Sequence, residues 1–109
     1  MAEKSSTGLS KETAGALSYV LGPVSGIIFL VLEKNKFVRF HAMQSIVLFV
    51  SLFVLQWFFA LVVILLPFVP LLSIIAFVLW LILIYKAWLG EEWEVPFIGK
   101  FARELVARA

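Results

Sequence analysis

The sequence predicts an all-α, polytopic membrane protein with three transmembrane helices and a C-terminal amphipathic helix lying on the bilayer surface. Three observations predict it. Hydrophobic residues make up 63% of the 109-residue chain and charged residues 15%, more apolar surface than a soluble domain of this size can hide. The stretch from Phe40 to Tyr85 carries no Lys, Arg, Asp or Glu. Three segments reach the ~20 apolar residues that a hydrocarbon core ~30 Å thick requires.

Residues 1–12 read as a polar N-terminal tail, and 13–109 as a single membrane domain. The first span is 13–32, "TAGALSYVLGPVSGIIFLVL", bounded by Glu12 and Glu33. Its apolar run is too long for a signal-peptide core, and "EKNK" follows it instead of a small-x-small cleavage site, so a retained helix is expected. Ser10 is placed to cap it, and Glu12 to face the positive end of its dipole. Gly15, Ser18, Gly22, Ser25 and Gly26 recur at three- and four-residue steps and share one stripe at ~100° per residue. Such small-xxx-small spacing favours close contact with another helix. The alternative is a hinge or unwound segment at Gly22–Pro23, as in the broken helices of transporters.

As one helix, Phe40–Tyr85 would be roughly twice a bilayer's thickness, so it folds back. "PFVP" at 67–70 is the strong breaker. Pro67 lacks an N–H and clashes with the preceding turn, which ends the second helix (45–66) near Leu66. Pro70 suits the start of the third, 71–89. "GEEWEV" then turns polar and acidic. The segment 96–108 sets Phe97, Ile98, Phe101 and Leu105 on one face and Lys100 and Arg103 on the other, the pattern of a helix resting on a membrane surface.

Three spans put 33–44 and the C-terminus on one side, with Lys34, Lys36, Arg39, Lys86, Lys100, Arg103 and Arg108. Lys4 and Lys11 fall on the other. The positive-inside rule then makes 33–44 and the C-terminus cytoplasmic and the N-terminus external, in a multi-pass protein of the cell membrane. Tyr85, Trp88 and Trp93 suit an aromatic belt at that cytoplasmic end.

Chemistry is sparse. Cysteine and Asp are absent and His41 is the lone histidine, so no metal, cofactor or catalytic site is expected and the chain does not read as an enzyme. The scattered cations form no stripe for nucleic acid. The candidate functional residues lie on the second helix, where His41, Gln44, Ser45, Ser51 and Gln56 spread over roughly 140°. They serve either interhelical hydrogen bonds, at ~0.6 kcal/mol each, or a hydrated path. Arg39 and His41 share a side with Glu91, and an ion pair or hydrogen bond to Glu91 would tie 33–44 to the tail.

Two motifs carry a resemblance. "LSYVLGPVSGIIFLVLEKNKFVRFHAMQSI" at 17–46 and "YKAWLGEEWEVPFIG" at 85–99 resemble the signatures of the DUF4870 or UPF0132 group of small prokaryotic membrane proteins. That group is distantly similar to Tic20, a component of chloroplast protein import. Arg39, Phe40, His41, Gln44, Gly90, Glu91 and Pro96 match the motifs. The expected function is a structural or accessory component that self-associates or joins a larger complex in the lipid bilayer, because three helices bury little of their own surface. The alternative, implied by the plastid likeness, is a channel or protein-translocation component.

Overall fold

The computed structural model describes residues 8–108; the first seven residues of the polar tail, with Lys4, and Ala109 lie outside the described residues. Five α-helices follow one another: α1 (Lys11–Val20), α2 (Pro23–Leu32), α3 (Lys36–Leu61), α4 (Val69–Trp88) and α5 (Ile98–Arg108). A 3-10 helix, Val63–Phe68, joins α3 to α4. The body is elongated, 50 × 26 × 21 Å.

The expected first span is not one helix. Gly22 stands between α1 and α2 at φ 63°, ψ −133°, a conformation that only glycine adopts cheaply, and Pro23 begins α2 in the first-turn position that proline favours. The chain reverses there. Ala14 of α1 and Phe29 of α2 pack against the same cluster, Phe37 and Val38 of α3. Lys11 sits 5.2 Å above the Phe37 ring, while the turn itself lies beside Phe49. The helices therefore run in from one end of α3 and back to it, reaching about 15 Å down its axis. The helix expected over 13–32 is thus two short helices, and the start of α1 packs at the same end of α3 as Phe37 and Val38. Among the described residues, two helical segments, Lys36–Leu61 and Val63–Trp88, are long and apolar enough to cross a membrane.

Gly15 on α1 and Gly26 on α2 lie against α3, while Ser18 is buried and donates to the Ala14 carbonyl within α1. A Cβ on Gly15 would come within 2.8 Å of the Phe37 ring, and one on Gly26 within 2.9 Å of the Ala42 carbonyl oxygen. Gly22 belongs to the turn rather than to a packing face.

α3 begins earlier than expected. The Asn35 side chain accepts hydrogen bonds from Phe37 N and Val38 N and caps a helix at Lys36, so most of 33–44 is helical. It also ends earlier, at Leu61, where Val62 turns extended. Pro67 does not terminate the helix; it sits inside the 3-10 segment, where its clash with the carbonyl four residues back is avoided by tighter winding. Pro70 falls in the first turn of α4, as expected.

The core is concentrated at one end. Ala16 and Tyr19 of α1, Leu48 of α3, Leu83 and Ala87 of α4 and Val95 of the tail form its main cluster. α1 lies between α3 and α4 there. Beyond Phe49, α3, the 3-10 helix and α4 continue, and large apolar side chains such as Phe53, Phe58, Ile64 and Phe77 stay exposed.

Gly26→Ala should destabilise the fold by about 1–3 kcal/mol, because the new methyl meets backbone rather than a movable side chain. Gly22→Ala should cost a similar amount through backbone strain. Thermal unfolding in detergent measures both, and a variant as stable as the parent would contradict the folded-back arrangement of α1 and α2.

Candidate functional site

His41 and Gln44, two of the polar residues picked out on the second helix, converge with α1 and the tail in one hydrogen-bond network that is buried at its centre. His41 and Gln44 are one turn apart near the start of α3 and are fully buried. Tyr19 reaches them from α1. Residues 90–97 cross over them as an extended strap.

The partners fix every proton. The Glu91 backbone carbonyl can only accept, so His41 Nε2, 2.8 Å away, donates to it. His41 Nδ1 in its neutral ring then accepts from the Tyr19 hydroxyl at 2.7 Å. That hydroxyl in turn accepts from Gln44 Nε2 at 2.9 Å. The second Nε2 hydrogen of Gln44 goes to the Trp93 carbonyl at 2.9 Å, and Gln44 Oε1 accepts from Val95 N at 2.9 Å. The amide therefore pairs with the strap as another strand would. Three rings enclose the imidazole edge-on, those of Phe37, Phe40 and Tyr19, with centroids 4.5 Å, 5.1 Å and 5.4 Å away.

A second set of bonds serves the break at Gly22. Trp80 Nε1 donates to the Tyr19 carbonyl at 2.6 Å, and Ser45 Oγ to the Gly22 carbonyl at 2.9 Å. Ser25 Oγ accepts from Leu21 N at 3.1 Å and donates to the Ser18 carbonyl at 2.9 Å.

Arg39 does not meet Glu91. Its Nη1 donates to the carbonyls of Leu30, at 2.7 Å, and Glu33, at 3.3 Å, and so closes the end of α2. The Glu91 carboxylate pairs with Lys86 at 3.6 Å. The link expected between His41 and residue 91 is thus made, but to the backbone and not to the acid. Gln56 lies apart from the network, far along α3, where its Nε2 donates to Ser73 Oγ on α4 at 2.8 Å.

Arg103 was expected on the outer face of the tail helix. It instead stacks over Phe40, 4.1 Å from the ring centre, and bonds Glu94 at 2.5 Å and Glu92 at 3.1 Å. Burial works against its charge, but those bonds and the two carboxylates outweigh it and raise the guanidinium above its ordinary value. α5 rests on the strap and α3 through Gly99 and Ala102. A Cβ on Gly99 would stand 2.7 Å from Glu94 Cα and 2.8 Å from Gln44 Oε1. Phe97 and Phe101 remain exposed. Sequence reasoning passed over Tyr19 and Trp80 as site members. The available signal was their polar tips: a buried Tyr or Trp needs a partner.

Among the described residues, no group of three or more His, Cys, Asp or Glu side chains could hold a metal ion. The arrangement binds helices to a strap. A helical body with one sealed polar end and two long apolar helices is that of a small membrane protein. The chain belongs to the magnetosome magnetite crystal formation protein family, which matches residues 9–102. It is 43% identical to a UPF0132 membrane protein of Methanocaldococcus jannaschii over 93% of each chain. A UPF0132 membrane protein of Archaeoglobus fulgidus is 41% identical, over 90% of this chain and 97% of its own. No solved structure matches the chain.

Gln44→Leu should orphan the Trp93 carbonyl and the Val95 amide, at about 1–3 kcal/mol each, and release the strap. Amide exchange at Val95 should accelerate with it. Glu91→Gln should change stability by less than ~1 kcal/mol, since the Lys86 pair is solvent-exposed and His41 keeps its carbonyl. The reverse ranking of the two variants would show that the acid, not the backbone, holds the tail.

Proposed function

We propose that the chain is a two-span protein of the cell membrane with a re-entrant helical hairpin, and that it acts as a structural or accessory component that self-associates or joins a larger membrane complex. It carries out no reaction of its own. The charge-free part of α3, Phe40–Leu61, is about 33 Å long, a bilayer's hydrocarbon thickness. All eight cations among the described residues (Lys11, Lys34, Lys36, Arg39, Lys86, Lys100, Arg103 and Arg108) belong to the end bearing the strap and α5, and the turn at 62–68 has none. The positive-inside rule then supports a cytoplasmic position for that end, which holds the start of α1, the 33–35 turn and α5 together. Phe97 and Phe101, flanking Lys100, suit the membrane surface.

The observation that carries association is Gln56. Its bond to Ser73 lies about 24 Å along α3 from Phe40, and Ser73 is exposed. Gln56 is only half-buried. Polar side chains at that depth are costly against lipid, so a second copy or a partner helix covers the Gln56–Ser73 pair. A pore through one chain is disfavoured because His41, Gln44 and Ser45 spend their hydrogen bonds internally.

Light scattering in mild detergent should find an assembly heavier than one chain, weakened by Gln56→Leu. Liposomes carrying the protein should be silent to ions. Flux that Gln56→Leu abolishes would favour the channel reading instead. Reporters fused at both termini should read cytoplasmic; an external N-terminal reporter would sink the re-entrant topology.

A further inference from the structure

The tail runs down the start of α3 and back up it. On the way down, Glu91 is held at His41, and residues 93 and 95 one turn further along at Gln44. On the way back, α5 takes the opposite direction. Gly99 stands against Gln44, Arg103 lies over Phe40, and Val106 and Ala107 share a cavity wall with Lys36 and Arg39. Residues 90–108 are therefore a hairpin with its tip at 95–98. Phe97 makes the turn at φ 68°, a left-handed conformation that strains a bulky aromatic residue, and its side chain is 92% exposed. A turn in water is made more cheaply by glycine or asparagine, and a ring held clear of the protein gains nothing there. The tip, "VPFIG", carries no charge, and the acid before it, Glu94, pairs with Arg103 further up α5. Its backbone is spent internally as well. Val95 N donates to Gln44, Ile98 N and Gly99 N to the carbonyls of Pro96 and Val95, and Pro96 has no N–H.

We infer that this hairpin is a second re-entrant element, whose tip enters the acyl-chain region of the cytoplasmic leaflet with Phe97 as its lipid-facing wedge. The inference rests on the two-span reading above and deepens it. With α3 across the bilayer, depth is read along its axis. Gln44 lies four residues past Phe40, about 6 Å into the charge-free run, and the tip reaches that level. A helix packed lengthwise on α3 stands upright, so α5 climbs about 15 Å from its start to Arg108. Its residues suit the climb. Phe97 and Phe101 are exposed in the deeper half, Arg108 ends at the water, and the long stem of Lys100 lets its ammonium reach the headgroups. Backbone entering hydrocarbon must have its polar groups satisfied internally, as those of the tip are. Beyond the tip the same face of α3 goes on with Leu55, three turns past Gln44 and exposed. The tip thus continues a surface that the two-span reading already gives to lipid.

The chain has no cysteine, so a single introduced thiol takes a spin label at one place. Phe97→Cys, Phe101→Cys and Arg108→Cys each put that label at an exposed position of the full chain, reconstituted in phosphatidylcholine bilayers. Depth is read from collisions with oxygen, which concentrates in hydrocarbon, against those with a nickel chelate, which stays in water. Val50→Cys, exposed and ten residues past Phe40, is the mid-bilayer control. The label at 97 should lie about 15 Å deeper than the label at 108, with the label at 101 between them. One depth for all three would mean a helix flat on the surface and overturn the inference. So would a label at 97 open to nickel while the label at 50 stays in hydrocarbon. A label at 97 shielded from both reagents would mean that another protein chain covers the tip, and would also overturn it. Nickel access at position 50 would overturn the membrane reading as well.

Discussion

Everything at the strapped end depends on satisfying backbone groups where a helix stops inside apolar surroundings. A break at Gly22 strips carbonyls and amides of their helical partners, and these groups need other partners. Ser25, Ser45 and Trp80 supply them, each from a different helix. Those bonds pin α1 to α3 and α4 at once. Tyr19, next to the break, is thereby set at the height of His41 and Gln44. The network above it follows from that placement.

The same logic governs the strap. Residues 90–97 have no sheet or helix of their own, so their carbonyls and amides need outside partners. His41 and Gln44 provide them for residues 91, 93 and 95, and Gly99 lets α5 come down close enough to close the lid. Arg103 adds a weaker clasp, because its pairs with Glu92 and Glu94 are partly in solvent. The polar residues of α3 thus have a shared job, holding two non-helical stretches of backbone against a helix.

Much of this was legible in the residues. The charge-free run Phe40–Tyr85, the helical hairpin, the cap at Ser10 and the ties from 33–44 to the tail could all be read from spacing and composition. A hinge or unwound segment at Gly22–Pro23 could be named as an alternative but not chosen, and the reversal it makes could not be read. Residues 13–32 have the length of a span, and the deciding partners, Ser45 and Trp80, are remote in sequence. Val62 gave no warning of a turn, since the prolines nearby suggested a later one. Arg103 leans over Phe40 while staying largely in solvent, and the strap brings Glu92 and Glu94 across to it, which a helical wheel drawn on α5 alone cannot show.

The tip between α3 and α4 has a consequence for how such a chain enters a bilayer. Residues 62–68 are Val, Ile, Leu, Pro and Phe, without a charge or a polar side chain. Carrying a Lys, Arg or Asp to the centre of a membrane costs at least ~2.5 kcal/mol per residue. This hairpin has none to carry. In the two-span arrangement proposed above, the advancing end would meet hydrocarbon without a charge to desolvate, and the direction of insertion would be set by the charged residues held back.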